Sequence, residues 1–180
     1  MGKVFAVVLV VTIAMIVVLQ FIDPNVVTSG AQATTSLVAS DSSISVSIEG
    51  EITRPGTYMM DPNTTLASLI EVAAGTTSNA DERAYDTSYV LSDGLSFYIA
   101  PKYDNSDVCS LEPINKVNIN ADNETTLATV SGISSTIAGK IVSYRNSNGS
   151  FRRIEDVKEV SGIGNATFEK IKNYIVLRAA

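Results

Sequence analysis

The sequence predicts an α+β protein in which a transmembrane helix, a small mixed α/β domain and an all-α domain follow one another. Three observations predict this order. The first is an uncharged apolar run near the N-terminus. The second is a strand–strand–helix–strand pattern between residues 44 and 102, and the third is a helical unit that occurs twice after residue 114. Helices and strands that are segregated along the chain are typical of α+β proteins.

The apolar run extends from residue 4 to residue 22, and Thr12 and Gln20 are its polar residues. As a helix it is about 28 Å long, close to the hydrocarbon thickness of a bilayer. Lys3 precedes the run and Asp23 follows it. The positive-inside bias therefore predicts a single-pass protein of the cell membrane, with a cytoplasmic N-terminus and extracellular C-terminal domains.

A cleavable signal peptide is the alternative to a transmembrane anchor at residues 1–23. Ala31-Gln32-Ala33 resembles a cleavage site, but it lies far beyond the apolar run, which is itself longer than the usual signal core. Residues 24–43 are rich in Ser, Thr, Ala and Val, a composition that predicts a flexible linker.

Charge is distributed unevenly along the chain. The net charge is −6, but residues 114–180 contain nine basic and six acidic residues, whereas residues 1–113 contain four basic and 13 acidic residues. The basic half predicts an anionic partner. Because Cys109 is the single cysteine and histidine is absent, an intrachain disulfide and a zinc site of Cys and His are excluded. Cys109 is either a buried or loop residue or the site of an intermolecular disulfide, and no metal or cofactor is predicted.

The middle of the chain begins with a predicted β-hairpin. Ile44–Ile48 alternates apolar and polar residues, as in a half-buried strand. Pro55-Gly56 predicts the turn into a second strand near Tyr58.

A helix and a closing strand are predicted next. Thr64 or Thr65 is expected to cap the helix, and Gly75 is expected to terminate it. Its apolar residues have helical spacing: Leu66, Leu69, Ile70, Ala73 and Ala74. Asp93-Gly94 predicts a turn, after which alternating Leu95, Phe97 and Ile99 predict a strand.

Three segments of this middle domain, residues 44–102, resemble the SLBB family of β-grasp domains: Ile48–Tyr58, Leu66–Gly75 and Ser92–Pro101. The family usually has paired glycines after the helix, where this chain has Gly75-Thr76. No ligand is therefore assigned to the domain. The favoured interpretation is a spacer or a self-association domain. Self-association would make the protein a homo-oligomer. Residues 103–113 are predicted to be a second linker.

The C-terminal region, residues 114–180, repeats itself at a spacing of thirty residues. Val130–Ile133 recurs as Val160–Ile163, and seven of the eighteen positions in Leu127–Tyr144 are identical in Val157–Tyr174. Each unit is predicted to be a helix, a tight turn and a second helix. Neither unit has enough apolar surface to fold alone, so the two are expected to share a core.

Particular residues place the helices of the two units. Asp122 or Asn123 is expected to cap the first helix, and Asn148-Gly149 to end the second. The expected inward residues of the first unit are Leu127, Val130, Ile133, Ile137, Ala138, Ile141 and Val142. Those of the second unit are Ile154, Val157, Val160 and Ile163, followed by a final helix with Phe168, Ile171, Ile175 and Val176.

Turns of this kind are suited to phosphate binding. Glycine permits a positive φ and exposes the backbone amides, which lie at the positive end of the following helix. Amides that contact phosphates carry no base information, so the predicted DNA binding is independent of sequence. Lys140 and Lys170 occupy the same place in each unit and are expected to attract DNA. The alternative is that the glycines merely end helices and that both lysines are solvated.

The C-terminal region resembles the helix-hairpin-helix domain of the ComEA-type family. The resemblance rests on Asn118–Ala121, the two turns, Tyr144-Arg145, Gly149–Phe151 and Ile154–Val157. It implies a receptor that captures double-stranded DNA outside the cell and passes it to an uptake channel protein. The DNA-binding residues then expected are Ser131, Gly132, Ile133, Ser134, Ser135 and Lys140 in the first unit, and Ser161, Gly162, Ile163, Gly164, Asn165 and Lys170 in the second.

The chain departs from the family pattern at three places. Ser134 replaces a glycine and is expected to tolerate or avoid a positive φ, so the second hairpin is expected to dominate binding. Ile137 stands where a lysine is common. Arg153 replaces a helix-capping serine or threonine, and Arg152 and Arg153 are expected to compensate by adding positive charge near DNA.

Two other classes of function are the alternatives to a DNA receptor. One is a cell-surface protein-interaction or oligomerisation module that does not bind DNA. The other is an enzyme such as a nuclease, which is disfavoured because the chain has no histidine and no recognisable nucleophile–base pair. Asp104 and Asp107 are close acids, and adjacent Glu155 and Asp156 fit surface or capping roles.

Overall fold

A computed structural model describes residues 43–104 and 112–179. The predicted membrane run at residues 4–22, nearly all of the first linker and Cys109 lie outside these ranges. Within the two ranges, no helix has both the length and the apolar character that crossing a membrane requires.

A three-stranded sheet forms the middle domain. Strand β1 (Ile44–Gly50) is central, with β2 (Gly56–Met60) antiparallel on one side and β3 (Ser96–Ile99) parallel on the other. Val46 and Ile48 of β1 are buried against Phe97 and Ile99 of β3 in one apolar cluster. The predicted hairpin and the predicted closing strand are therefore confirmed.

Helix α1 (Leu66–Val72) buries Leu66 and Leu69 against the sheet, but its cap differs from the prediction. Thr65 occupies the N-cap position without a side-chain hydrogen bond. Instead, the amides of Leu66 and Ala67 donate to the carbonyl oxygens of Tyr89 and Thr87, at 2.9 and 3.0 Å. A threonine cap was wrong because the neighbouring loop supplies backbone acceptors.

The C-terminal domain contains a short helix α2 (Glu124–Leu127), a long helix α3 (Ser135–Asn148), a 3-10 helix (Ile154–Glu159) and helix α4 (Asn165–Ile171). Asn123 caps α2 by accepting a hydrogen bond from the Thr126 amide at 2.9 Å, whereas Asp122 accepts from the Asn118 amide. The predicted Asn123 cap is confirmed.

The domain is not all-α, because its two ends form a parallel strand pair. Strand β6 (Val117–Asn118) pairs with β7 (Ile175–Val176). The predicted final helix therefore ends at Ile171, and Ile175 and Val176 are strand residues. Their spacing fits a helix locally, but pairing with β6 across the domain satisfies their backbone instead.

Both units bury their apolar side chains in one cluster, so the predicted shared core is confirmed. Ile133 and Ile163 are each 3 % exposed and occupy equivalent positions. Tyr98 of β3 packs against the same cluster, and Ala84 belongs to it. Residues of the middle domain therefore contribute to the core of the C-terminal domain.

The described ends of the predicted second linker are paired. Strand β4 (Tyr103–Asp104) is antiparallel to β5 (Glu112–Pro113). Beyond it, the Leu177 amide donates to the Arg83 carbonyl oxygen at 2.9 Å, which ties the end of the C-terminal domain to the middle domain.

Candidate nucleic-acid interface

The two hairpins have nearly the same backbone. Gly132 has a φ of +107° and Gly162 a φ of +105°. The Ile133 amide donates to the Val130 carbonyl oxygen at 2.9 Å, and the Ile163 amide donates to that of Val160 at the same distance. The sequence repeat is therefore a repeat of turn geometry.

Glycine is required at the first position of each turn and not at the second. A Cβ on Gly132 would lie 3.0 Å from Cγ2 of Ile171, in addition to the strain of the positive φ. Gly164 has a φ of −94°, and a Cβ there would meet nothing within 4 Å. Its counterpart Ser134 has a φ of −72°. Of the two expected outcomes, Ser134 therefore avoids a positive φ, because the positive φ belongs to Gly132.

Ser134 instead caps helix α3. Its hydroxyl accepts a hydrogen bond from the Ile137 amide at 3.3 Å, an arrangement that stabilises a helix by about 1 kcal/mol. The amides of Ser135 and Thr136 have no intrahelical acceptor, because the first residues of a helix never do. They remain able to bind an anion at the start of a 14-residue helix.

Each hairpin rests on the helix of the other unit. Lys140 Nζ of α3 donates to the Ser161 carbonyl oxygen at 3.0 Å, and lies 3.5 Å from its Oγ. In the reciprocal contact, a Cβ on Gly132 would lie 3.6 Å from Cβ of Lys170 in α4. The structure thus places each turn beside the lysine of the other unit, whereas the predicted role of both lysines in attracting DNA stays a prediction.

The candidate residues present an exposed backbone. Ten of the twelve are exposed, and the two buried ones are Ile133 and Ile163, whose side chains insert into the core. The two buried isoleucine side chains hold the turns against the core, so these residues can contribute only backbone atoms to an interface. The exposed face is suited to a ligand that accepts hydrogen bonds from amides.

Most of the basic side chains of the C-terminal domain serve another purpose. Arg152 pairs with Asp86 of the middle domain at 2.8 Å. The Arg153 guanidinium lies over the Tyr89 ring, 5.2 Å from its centroid. Both arginines are therefore engaged with the middle domain, and the prediction that they add charge near DNA stays a prediction. Three other basic residues also contact the middle domain: Lys116 at Asp81, Lys172 over Tyr98, and Arg178 at the Glu82 carbonyl oxygen.

Two residues of the family pattern act structurally. Arg145 donates to the carbonyl oxygens of Ile119 and Asp122, both at 2.7 Å, and so holds the segment before α2. Tyr144 stacks on Phe151 with ring centroids 5.0 Å apart. Of the nine basic residues of the domain, three contact neither the middle domain nor the segment before α2: Lys140, which donates to the Ser161 carbonyl oxygen, Lys158, which lies over the Phe168 ring, and Lys170.

The acidic pair Glu155 and Asp156 divides its roles. Asp156 accepts hydrogen bonds from the Arg153 amide and guanidinium, at 3.1 and 2.9 Å, and the predicted capping role is confirmed for it. Glu155 is 7 % exposed and accepts a hydrogen bond from the Tyr98 amide of β3, so a surface role was wrong. Burial raises the pKa of Glu155 to about 7, although hydrogen bonds from backbone amides oppose the shift.

A buried ion pair also lies at this domain junction. Lys116 Nζ is 3.0 Å from Asp81 Oδ2, and both side chains are almost fully buried. Burial alone would raise the pKa of Asp81, but hydrogen bonds from Arg83 and Lys116 outweigh it and lower that pKa far below its usual value. The sequence offered one signal for these contacts: the opposite net charges of its two halves.

Two family models match the chain. The SLBB domain model covers residues 45–98, and the helix-hairpin-helix motif model covers residues 112–176. ComE operon protein 1 of Bacillus subtilis is 35% identical over 148 residues, which are 77% of this chain and 72% of that protein. The chain belongs to the ComEA-type family. The predicted middle and C-terminal domain types are thereby confirmed.

Shorter matches occur in proteins of other kinds. The human endonuclease/exonuclease/phosphatase family domain-containing protein 1 is 39% identical over 57 residues, which are 32% of this chain and 10% of that protein. An uncharacterized protein of Haemophilus influenzae is 38% identical over 63 residues, 34% of this chain and 56% of that protein. A match to a tenth of a longer protein carries no enzymatic activity over to a ComEA-type chain.

Proposed function

We propose that this protein is a membrane-anchored receptor that binds double-stranded DNA through the phosphate backbone and takes part in DNA uptake during natural competence. The observation that carries the proposal is the pair of equivalent hairpins, which lie against each other's helices and expose their backbone. Membership of the ComEA-type family supports the same role.

The geometry favours recognition of phosphates over recognition of bases. Each turn offers small exposed residues and backbone amides, and neither turn contains an arginine, lysine or glutamine that could read a base edge. Two turns related by a repeat can contact two phosphates on one duplex. Contacts of this type set the position of the protein on DNA and leave it indifferent to sequence.

The number of available cations sets the expected salt dependence. Five of the nine basic residues contact the middle domain and Arg145 is used internally, which leaves Lys140, Lys158 and Lys170. Up to three phosphate contacts by lysine predict a slope of about −3 for log K against log salt concentration. With this slope, a fourfold rise in salt concentration should lower the affinity about 60-fold.

The proposal also includes anchoring of the protein in the membrane and transfer of the bound DNA. The uncharged run at residues 4–22 is proposed to hold the protein in the cell membrane, with both domains outside the cell. A DNA uptake channel protein is the proposed recipient of the bound duplex. Modification of single cysteines introduced before and after the run, in intact cells with a membrane-impermeant thiol reagent and Cys109 replaced, tests this topology.

Fluorescence anisotropy with the full-length chain tests DNA binding. Labelled duplexes of unrelated sequence should bind with equal affinity across a salt series, and Gly164→Asp should weaken all of them. Gly164→Ser is the matched control, because it copies the first hairpin and introduces no charge. Absence of binding by the folded chain at low salt would refute the proposal and favour a protein-interaction module.

A further inference from the structure

Lys140 forms a hydrogen bond with the second hairpin, whereas Lys170, its counterpart in the second unit, forms none with the first hairpin. Lys140 Nζ donates to the Ser161 carbonyl oxygen at 3.0 Å, across twenty-one positions of sequence. Lys170 holds the same place in the second unit, and its Cβ lies beside Gly132. Among the described residues, no acceptor receives a hydrogen bond from Lys170 Nζ. Lys140 is thus tied to a turn, whereas Lys170 presents its charge to solvent.

The hydrogen bond from Lys140 shows the direction of the next amide in the chain. A trans peptide is planar, so its carbonyl oxygen and its N–H point in opposite directions. The Ser161 carbonyl oxygen is directed at Lys140 on α3, and the Gly162 N–H of the same peptide is therefore directed away from α3. No described residue accepts a hydrogen bond from this N–H, and Gly162 is exposed.

The same contact strengthens the amide as a donor. A hydrogen bond to a carbonyl oxygen polarises the peptide and makes its N–H a better donor, and a charged ammonium has a larger effect than a neutral group. Ile137 supports the arrangement, because its Cγ1 would lie 3.8 Å from a Cβ on Gly162. The turn is therefore both seated on α3 and polarised by it.

We infer that Lys140 is a positioning residue for phosphate binding: its ammonium holds the Ser161–Gly162 peptide so that the Gly162 amide is aimed at the phosphate. The inference rests on the proposed DNA binding and deepens it. It separates two lysines that the sequence repeat makes equivalent. Lys170 attracts DNA as a charge, whereas Lys140 acts on DNA through the backbone of the other unit.

The experiment compares Lys140→Met with its matched control Lys170→Met in the full-length chain, by anisotropy on one duplex over a salt series. Lys170→Met should reduce the salt slope by about 0.9, and its effect should fade as salt rises toward about 1 M. Lys140→Met should lower affinity about tenfold, the size expected for loss of a hydrogen bond to a charged group, and the loss should persist at high salt. Lys140→Arg, which keeps the charge and the donor, should restore most of the affinity.

A readout without DNA separates this inference from the proposed function. The amide resonance of Gly162 should shift in Lys140→Met and stay in place in Lys170→Met. An unchanged resonance, or a loss of affinity that fades with salt as in Lys170→Met, would overturn the positioning role. If the unaltered chain bound no DNA, the proposed function would fail together with this role, and a shifted resonance would then show only that Lys140 holds the turn.

Discussion

Both hairpins rest on the helix of the other unit, but a long capped helix follows the first hairpin, whereas a short helix without a side-chain cap follows the second. Helix α3 has 14 residues and a serine cap, while α4 has seven residues and no side-chain cap, and β7 begins four residues after its end. The second unit instead leans on Lys140 of α3 and on β3, through Glu155. The identical residues of the repeat specify the turn, and the differing ones determine what holds it.

Substituting aspartate in both turns is expected to have the largest effect, a loss of DNA affinity. Ser134 and Gly164 both have a negative φ in the N-cap position, where aspartate is well tolerated. Ser134→Asp with Gly164→Asp should keep the fold and lower DNA affinity about 100-fold or more, since charge-assisted amide–phosphate contacts are lost at both turns. Anisotropy measures the loss, and thermal unfolding confirms that stability is kept.

The single substitutions rank the two hairpins. Gly164→Asp is expected to cost more affinity than Ser134→Asp, because Lys140 holds the second turn in place. Equal losses would contradict the dominance of the second hairpin. The paired control substitutions Ser134→Asn and Gly164→Asn keep a good cap without adding charge, and should change affinity less than either aspartate.

The buried carboxyl of Glu155 gives the next largest effect, on stability. Its pKa is about 7 in the folded chain and 4.5 ordinarily. Between these values the folded state keeps a proton that the unfolded state releases, so the free energy of unfolding falls as pH rises from about 4.5 to about 7. Glu155→Gln should remove this fall and stabilise the chain by about 3 kcal/mol at pH 8.

Urea unfolding at a series of pH values checks the Glu155 prediction. Asp81 and Asp86 have lowered pKa values, so the stability they contribute is lost only at more acidic pH. Asp86→Asn is therefore a suitable control, since it should leave the slope between pH 5 and 8 as in the unaltered chain. If the free energy of unfolding of Glu155→Gln fell with pH as steeply as that of the unaltered chain, the role assigned to Glu155 would be contradicted.

Arg152 gives the smallest expected effect. Its pair with Asp86 is largely exposed, and such pairs contribute roughly 0.5 kcal/mol. Arg152→Ala should leave DNA affinity and salt slope unchanged, because its guanidinium is engaged with the middle domain. A slope reduced by about 0.9 would show that Arg152 contacts phosphate after all.

Local patterns predicted most of the interface, and long-range contacts account for the errors. The positions of both turns followed from the repeat, but which glycine has the positive φ depends on turn geometry that the motif does not reveal. Ile175 and Val176 fit a helical stripe equally well, and only Val117, far away in sequence, makes them a strand. Arg152 and Arg153 look like free charges until Asp86 and Tyr89 lie beside them.

Docking of the middle domain has a consequence for work with shortened proteins. The middle domain engages five basic side chains and one buried carboxyl, all of which would lose these partners if the C-terminal domain were cut out alone. Such a fragment would attract DNA as a polycation, with a steeper response to salt than the intact chain. Tighter binding by the fragment would then come from these freed charges and would mask the contribution of the two repeated turns.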